Sequence, residues 1–289
     1  MADKPPVVLT IAGFDPSSGA GVTADVKTIA AHGCYGVACI TAMTVQSTSG
    51  VRRVDPMDPS LVLDTLEELA ADMGISAVRL GMLGSGKVVK VVADFLSSQT
   101  ARNGGKKGKL PNIVLDPILK SSSGADLLDG AGVRLLIERL VPLADVITPN
   151  VDEASVITGM KVQDLEEMKV AAAKLHEMGA SAMVITGGHL EKAIDLLSFT
   201  TKHGVEQEVF KAERQRSNST HGTGCAFATA MACHLALDRG LAEAALLAKT
   251  YVSAAISNGQ TLGKGTGPVH HLYRMSQQRR AAGTGGESN

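Results

Sequence analysis

Short apolar runs recur along this chain, each closed by a glycine-rich or polar turn, and most are followed by a stretch in which apolar residues return every three or four positions. Val7-Val8-Leu9-Thr10-Ile11 is the first run, and its β-branched and apolar residues predict a strand. The loop Ala12 to Gly21 follows, after which Val22, Val26 and Ile29 mark one face of a helix reaching Ala31. Strand, glycine loop and helix make the opening of a βα unit. The alternation continues with strands at 37–43, 77–80, 113–116, 146–148 and 182–185, and helices at 60–73, 88–96, 135–140 and 165–178. Pro59 stands at the start of the second helix, where its missing N–H costs nothing.

Towards the end the pattern changes. Two β-rich runs, 193–199 and 205–211, are separated by a short Thr-Lys-His-Gly turn and predict an antiparallel pair, after which 225–238 and 242–257 predict two successive helices. Short apolar strands alternating with helices predict an α/β fold with a mostly parallel sheet covered on both faces. No linker splits the chain and no repeat is visible, so one domain over residues 1–280 is expected, with the small polar residues 281–289 as a frayed tail.

Composition narrows the function classes. Among 289 residues, 28 Lys and Arg against 29 Asp and Glu give a net charge of −1, so no global field draws the chain to nucleic acid or an acidic membrane. The basic run at 102–109 resembles a nucleotide-binding stretch but reads more readily as a solvated loop between a helix and a strand. Trp is absent, which leaves no stocked platform for stacking bases. Cys34, Cys39, Cys225 and Cys233 form no Cys-x-x-Cys pair, which predicts a reduced cytoplasmic enzyme without disulfides or a zinc site. Cys34 and Cys39 read as core. With a strand starting within the first residues and no long apolar run, neither a signal peptide nor a membrane span is expected.

The candidate chemistry gathers at strand ends, where ligands of such sheets bind. His221-Gly222-Thr223-Gly224-Cys225 leads straight into an apolar helix, a geometry that leaves free N–H groups at its positive end and favours an anion. Cys225 in the first turn is expected to have a lowered thiol pKa. Asp15, Asp116, Asn150, Glu153, Gly187, Gly188 and His189 each follow a strand. Asp116 and Glu153 offer hard oxygen ligands of the kind that suit a magnesium nucleotide, although Asp116 alone reads equally as a turn residue and Glu153 as a first-turn helix acid. His221 reads as either a ligand-facing donor or a cap. Met43 and Met82 read as core or as the apolar wall of a pocket, and Gln46 as a reader of a heterocycle's polar edge or as an exposed amide. No P-loop or dinucleotide fingerprint is present.

Taken in order, the motifs Ala12-Gly13-Phe14-Asp15, Ser18-Gly19-Ala20-Gly21, Ala24-Asp25-Val26-Lys27-Thr28, Thr41-Ala42-Met43-Thr44-Val45-Gln46, Gly81-Met82-Leu83, Leu115-Asp116-Pro117, Thr148-Pro149-Asn150, Thr186-Gly187-Gly188-His189 and Thr220 to Cys225 resemble the hydroxymethylpyrimidine/phosphomethylpyrimidine kinases of thiamin biosynthesis. The likeness runs from about residue 7 to 275. It implies a ribokinase-like three-layer α/β/α sandwich with an antiparallel edge pair, and an ATP- and Mg²⁺-dependent kinase that leaves a monovalent cation open. The reaction implied is phosphorylation of 4-amino-5-hydroxymethyl-2-methylpyrimidine and then of its monophosphate, by a homodimer.

By position, the resemblance assigns Gly13, Asp25, Met43, Gln46, Met82 and His221 to the pyrimidine, and Asp116, Asn150, Thr186 and Gly188 to the nucleotide and its phosphates. It assigns Glu153 and Asp116 to the metal, Gly222, Thr223 and Gly224 to an anion hole, and Cys225 to the place where related sugar kinases carry an aspartate base. The chain departs from the pattern at Pro16-Ser17-Ser18, at Thr23, and at Thr186 where a lysine is common, while Lys120 stands slightly early. These departures remove positive charge near the expected phosphates. A pyridoxal or pyridoxine kinase is the nearest rival reading, and a non-catalytic pyrimidine-binding protein the second.

Overall fold

The structure, a computed structural model, describes residues 4–102, 110–121, 123–188, 193–212 and 217–276. The expected tail and most of the basic run at 102–109 lie outside these residues, as does His189. Among the described residues nine strands join one sheet: β1 (Val7–Phe14), β2 (Tyr35–Ser47), β3 (Gly50–Pro56), β4 (Ile75–Leu80), β5 (Ile113–Leu115), β6 (Val146–Ile147), β7 (Ala182–Gly187), β8 (Ala193–Thr201) and β9 (Gly204–Ala212). Their spatial order is β3-β2-β1-β4-β5-β6-β7-β8-β9. The stretch from β2 to β7 is parallel, and β3, β8 and β9 are antiparallel additions at the two edges.

Strand periodicity builds the layers. Val7, Leu9 and Ile11 of β1 and Val78 and Leu80 of β4 point into a core shared with α2 (Pro59–Asp72), α3 (Gly86–Arg102), α5 (Val151–Thr158) and α6 (Leu165–Glu177). The alternate residues Val8, Ala77 and Val114 face α1 (Gly21–Ala31) and α7 (Thr223–Ala236). On the same side Val184 and Leu197 meet α7 and α8 (Leu241–Ser257). The result is an α/β/α sandwich. Helix α7 lies between the sheet, α1 and α8, and its residues 225–234 are all buried, which suits its run of alanines and apolar side chains on every face. The short α4 (Gly130–Leu135) continues into one π-helical turn at Leu136–Leu140, a little earlier than the periodicity predicts.

Two elements carry too weak a pattern to be predicted from sequence. Strand β3 is an exposed edge whose Arg52, Arg53 and Asp55 are all solvated, so it has no alternation to show. Helix α5 spans only eight residues, and its signal is the capping box between Asn150 and Glu153 rather than a period. Among the described residues no helix is long and apolar enough to cross a membrane.

Candidate active site

Two glycine turns, one from each end of the chain, meet at the C-terminal edge of the sheet. Gly222 caps α7 in the left-handed conformation, with φ 82°, and a Cβ there would lie 1.9 Å from the carbonyl oxygen of Gly19. Gly21, with φ 59°, opens α1, and a Cβ there would lie 2.2 Å from the carbonyl oxygen of Gly13. Only residues without side chains allow this approach. It leaves the N–H groups of Gly224 and Cys225 without a backbone hydrogen bond among the described residues, while Thr223 turns back to Thr220 at 3.3 Å. No side chain caps the helix, so its positive end faces the cleft.

The join is held by Asp15 and His221. Asp15 accepts hydrogen bonds from the backbone and hydroxyl of Ser17, at 2.8 and 2.6 Å, and from Ala20 N–H at 2.9 Å, and its Oδ2 lies 2.9 Å from His221 Nε2. Burial alone would raise this carboxyl, but the bonds from His221 and Ser17 outweigh burial and hold it below the ordinary carboxylate range. Gln46 Nε2 lies 3.3 Å from the same His221 nitrogen.

Two carboxylates line the same cleft as the glycine turn. Asp116, just past β5, accepts from Arg79 Nη2 at 2.8 Å, and the Cys225 thiol also touches it. Burial, with a contribution from Asp25 and against the pull of Arg79, pushes Asp116 up to about 6. Glu153 accepts from Asn150 N–H at 2.9 Å and from the Leu119 backbone, and Asn150 Oδ1 accepts from Glu153 N–H at 2.9 Å. Burial and the neighbouring Asp116 push Glu153 up to about 8.

Apart from Ser17, Gly19, Asp25 and Arg79, these groups line one cleft of about 1800 Å³. Of the residues assigned from sequence, it brings together Gly13, Gln46, Met82, Asp116, Asn150, Glu153, Thr186, Gly188, His221, Gly222, Thr223, Gly224 and Cys225. Asp25 and Met43 are placed elsewhere. Thr44 and Gln46 face the cleft, so the period of two in β2 turns Met43 to the other side, where it is 41% exposed. Asp25 is fully buried beneath the floor, where its two oxygens accept from Thr10 Oγ1 at 2.6 Å and Thr229 Oγ1 at 2.8 Å. It pairs with Arg79 rather than facing the cleft.

A second correction concerns Cys225. Helix position predicts a lowered thiol pKa, but the thiol is buried, and burial pushes it up to about 12 against the pull of Arg79. Asp116 and Asp25 add to the rise. Desolvation exceeds the helix-end effect here, so Cys225 is a thiol at neutral pH.

Sequence reasoning missed Arg79, Asp195 and Lys249. Lys249 on α8 and Asp195 on β8 line the far end of the cleft as an ion pair, Nζ to Oδ2 2.5 Å. Lys120 also lines the cleft, so two lysines stand there despite the departures near Thr186, each paired with a carboxylate, Lys249 with Asp195 and Lys120 with Asp126 at 3.5 Å. The signal was a single charged residue inside an otherwise apolar run, as in Ala77-Val78-Arg79-Leu80 and Leu247-Ala248-Lys249.

Comparison with known proteins agrees with this geometry. The family model described as phosphomethylpyrimidine kinase matches residues 15–270. The bifunctional thiamine biosynthesis protein of Geobacter sulfurreducens is 40% identical over 274 residues, covering 94% of this chain and 53% of that protein, so the chain spans about half of that relative's length. The hydroxymethylpyrimidine/phosphomethylpyrimidine kinase of Aquifex aeolicus is 38% identical over 261 residues, covering 90% of this chain and 97% of that one. The Bacillus subtilis pyridoxal kinase, solved as an ADP complex, superimposes with a TM-score of 0.82 at 33% identity, covering 94% of this chain and 100% of that one. With nearly its whole length matched and the glycine turns and carboxylates assembled in one cleft, the chain belongs to the phosphomethylpyrimidine kinase family.

Proposed function

We propose that the protein is an ATP-dependent kinase of a single domain that phosphorylates the hydroxymethyl group of 4-amino-5-hydroxymethyl-2-methylpyrimidine and then the resulting monophosphate. The observation that carries this reading is the cleft itself, which amides at the tip of α7 without a backbone partner among the described residues share with the carboxylates Asp116 and Glu153. Amides of this kind stabilise charge developing on a phosphoryl group in transfer, each worth about 3 kcal/mol at the transition state. Gln46, Met82, Gly13 and His221 would hold the pyrimidine near the glycine turns, and Asn150, Thr186, Gly188 and Lys249 the nucleotide. A cytoplasmic homodimer belongs to the same proposal.

The donor set fits Mg²⁺. Two hard carboxylates raised by burial are relieved by a cation, and among the described residues no cluster of three or more His, Cys, Asp or Glu forms a full cage. A sparse site of this kind suits Mg²⁺ completed by water and phosphate oxygens. When bound, the ion would neutralise phosphate charge. A cation lowers both carboxyl pKa values, so binding must release protons and strengthen as pH rises towards 8. At pH 7 Glu153 is mostly protonated in the free protein, so release of about one proton per Mg–nucleotide is expected. Calorimetry in two buffers of different ionisation enthalpy reads this directly, and identical heats in both would contradict it.

Cys225, uncharged at neutral pH, serves as a relay rather than as a free base. It takes the alcohol proton as its own proton passes to Asp116, which it touches and which is ionised at neutral pH. The second substrate is a phosphate monoester, already ionised near neutrality, and has less need of the relay. Cys225→Ala is therefore expected to slow the first phosphorylation on the order of 100-fold and the second far less. Rates on the two substrates check this, and equal losses would remove the relay.

The reading as a whole is tested by product analysis with ATP, Mg²⁺ and the free pyrimidine alcohol, with pyridoxal in parallel. Monophosphate and diphosphate from the pyrimidine are expected. The similarity to the Bacillus subtilis pyridoxal kinase favours pyridoxal as the second candidate. Phosphate on pyridoxal alone would establish that reading, and none on either would leave a binding protein.

A further inference from the structure

Beneath the cleft floor lies an arrangement that the proposed chemistry does not itself require. Arg79 on β4 is fully buried, 0% exposed, in the layer between the sheet and α7. Its Nη2 donates to Asp116 Oδ2 at 2.8 Å, its Nη1 lies 3.1 Å from Asp25 Oδ2, and the guanidinium also touches the Cys225 thiol. The second oxygen of Asp25 is held by Thr229, four residues after Cys225 and so on the same face of α7. Room for the head group comes from Gly81, where a Cβ would lie 1.7 Å from Nη1. The arginine thus joins β4, the end of β5, α1 and the first two turns of α7.

This cluster is hard to explain by stability. Two carboxylates share one arginine, Nη1 meets Asp25 as an ion pair without hydrogen-bond geometry, and Nε has no hydrogen-bond partner among the described residues. Buried ion pairs rarely add net stability over apolar residues of the same volume, and an unpartnered buried N–H is unfavourable. The position of the cluster offers another role, because its upper members, Asp116 and Cys225, are the groups that face the cleft.

We propose that Arg79 is a positioning residue for phosphoryl transfer: one guanidinium fixes Asp116 on the floor and the amide-bearing tip of α7 in a single geometry, so that neither shifts when the charged nucleotide enters. The inference rests on the kinase reading above. Displacement of a reacting group by about 1 Å can lower a rate on the order of 100-fold without weakening substrate binding. A residue acting through position should therefore move kcat and spare KM.

The test is steady-state kinetics on wild type, Arg79→Met and Arg79→Lys, each assayed below its own melting temperature with saturating Mg–ATP. Arg79→Met is expected to lose on the order of 100-fold in kcat with the pyrimidine KM within about threefold, and Arg79→Lys, which keeps the cation but not the fork, to recover part of the loss. Where Arg79→Met does not accumulate as folded protein, Asp25→Asn/Arg79→Met, which leaves no uncompensated partner carboxylate on α1, takes its place with the same expectation. A folded methionine variant with near wild-type kcat, a loss carried by KM, or no recovery with lysine would overturn the proposal. Wild-type turnover in the same series keeps the two claims apart. If wild type phosphorylates no alcohol, the kinase reading fails, whereas wild-type turnover beside an unimpaired methionine variant removes only the role of Arg79.

Discussion

Gly222→Ala is expected to lower kcat on the order of 100-fold or more and to destabilise the fold by about 1–3 kcal/mol. Two independent features of the position require glycine. Its φ of 82° is strained for any residue with a Cβ, and that Cβ would lie 1.9 Å from the Gly19 carbonyl oxygen. The clash is with backbone, so no side-chain rotation relieves it, and one of the two glycine turns must move. If the 222–225 turn moves, the free N–H groups of Gly224 and Cys225 leave their places, and removing a single donor of this kind costs on the order of 100-fold. Gly224→Ala is the matched control, because its Cβ would meet nothing within 4 Å. It should melt like wild type, so any loss of activity there reports crowding of the ligand. Kinetics and thermal melting of the two variants side by side check the argument, and a fully active Gly222→Ala would contradict it.

The second large effect is on stability. Asp25→Ala is expected to cost about 3–5 kcal/mol, because it leaves Arg79 a buried charge with one carboxylate and strips Thr10 and Thr229 of their acceptor. For a chain of 289 residues this corresponds to a fall in Tm on the order of 10 °C. The pyrimidine KM should stay within about threefold in protein assayed below that temperature, since Asp25 is fully buried and absent from the cleft wall. Denaturant midpoints and KM values measured on the same preparation decide between the two places for this residue. A large rise in KM at unchanged stability would return Asp25 to the substrate pocket.

Asp25 also marks how far the sequence could be read. The α/β alternation was legible because most strands of the parallel part are short apolar runs and most long helices show their period. The cleft was legible for a related reason: in a parallel sheet every strand delivers its last residues to the same edge, so Asp15, Asp116, Asn150 and Thr186 had to converge. What stayed hidden depends on burial and on partners distant in sequence. Position in the first turn of a helix argues for an acidic Cys225, and only the structure shows that desolvation beside Asp25 and Asp116 outweighs it. Arg79 reads as one charge in a strand until Asp25 and Asp116 are seen on either side of it. Lys249 and Asp195 stand 54 positions apart and show no motif. Met43 was misplaced by one residue of strand register, since its neighbours Thr44 and Gln46 take the cleft side.

The central claim, that phosphate transfer takes place at the tip of α7, is tested most directly by a crystal structure with Mg²⁺, a non-hydrolysable ATP analogue and the pyrimidine alcohol. The account predicts terminal phosphate oxygens about 3 Å from the Gly224 and Cys225 nitrogens, with the substrate hydroxyl on the far side of the phosphorus. A nucleotide seated with its terminal phosphate away from those amides, and water in front of them, would contradict it.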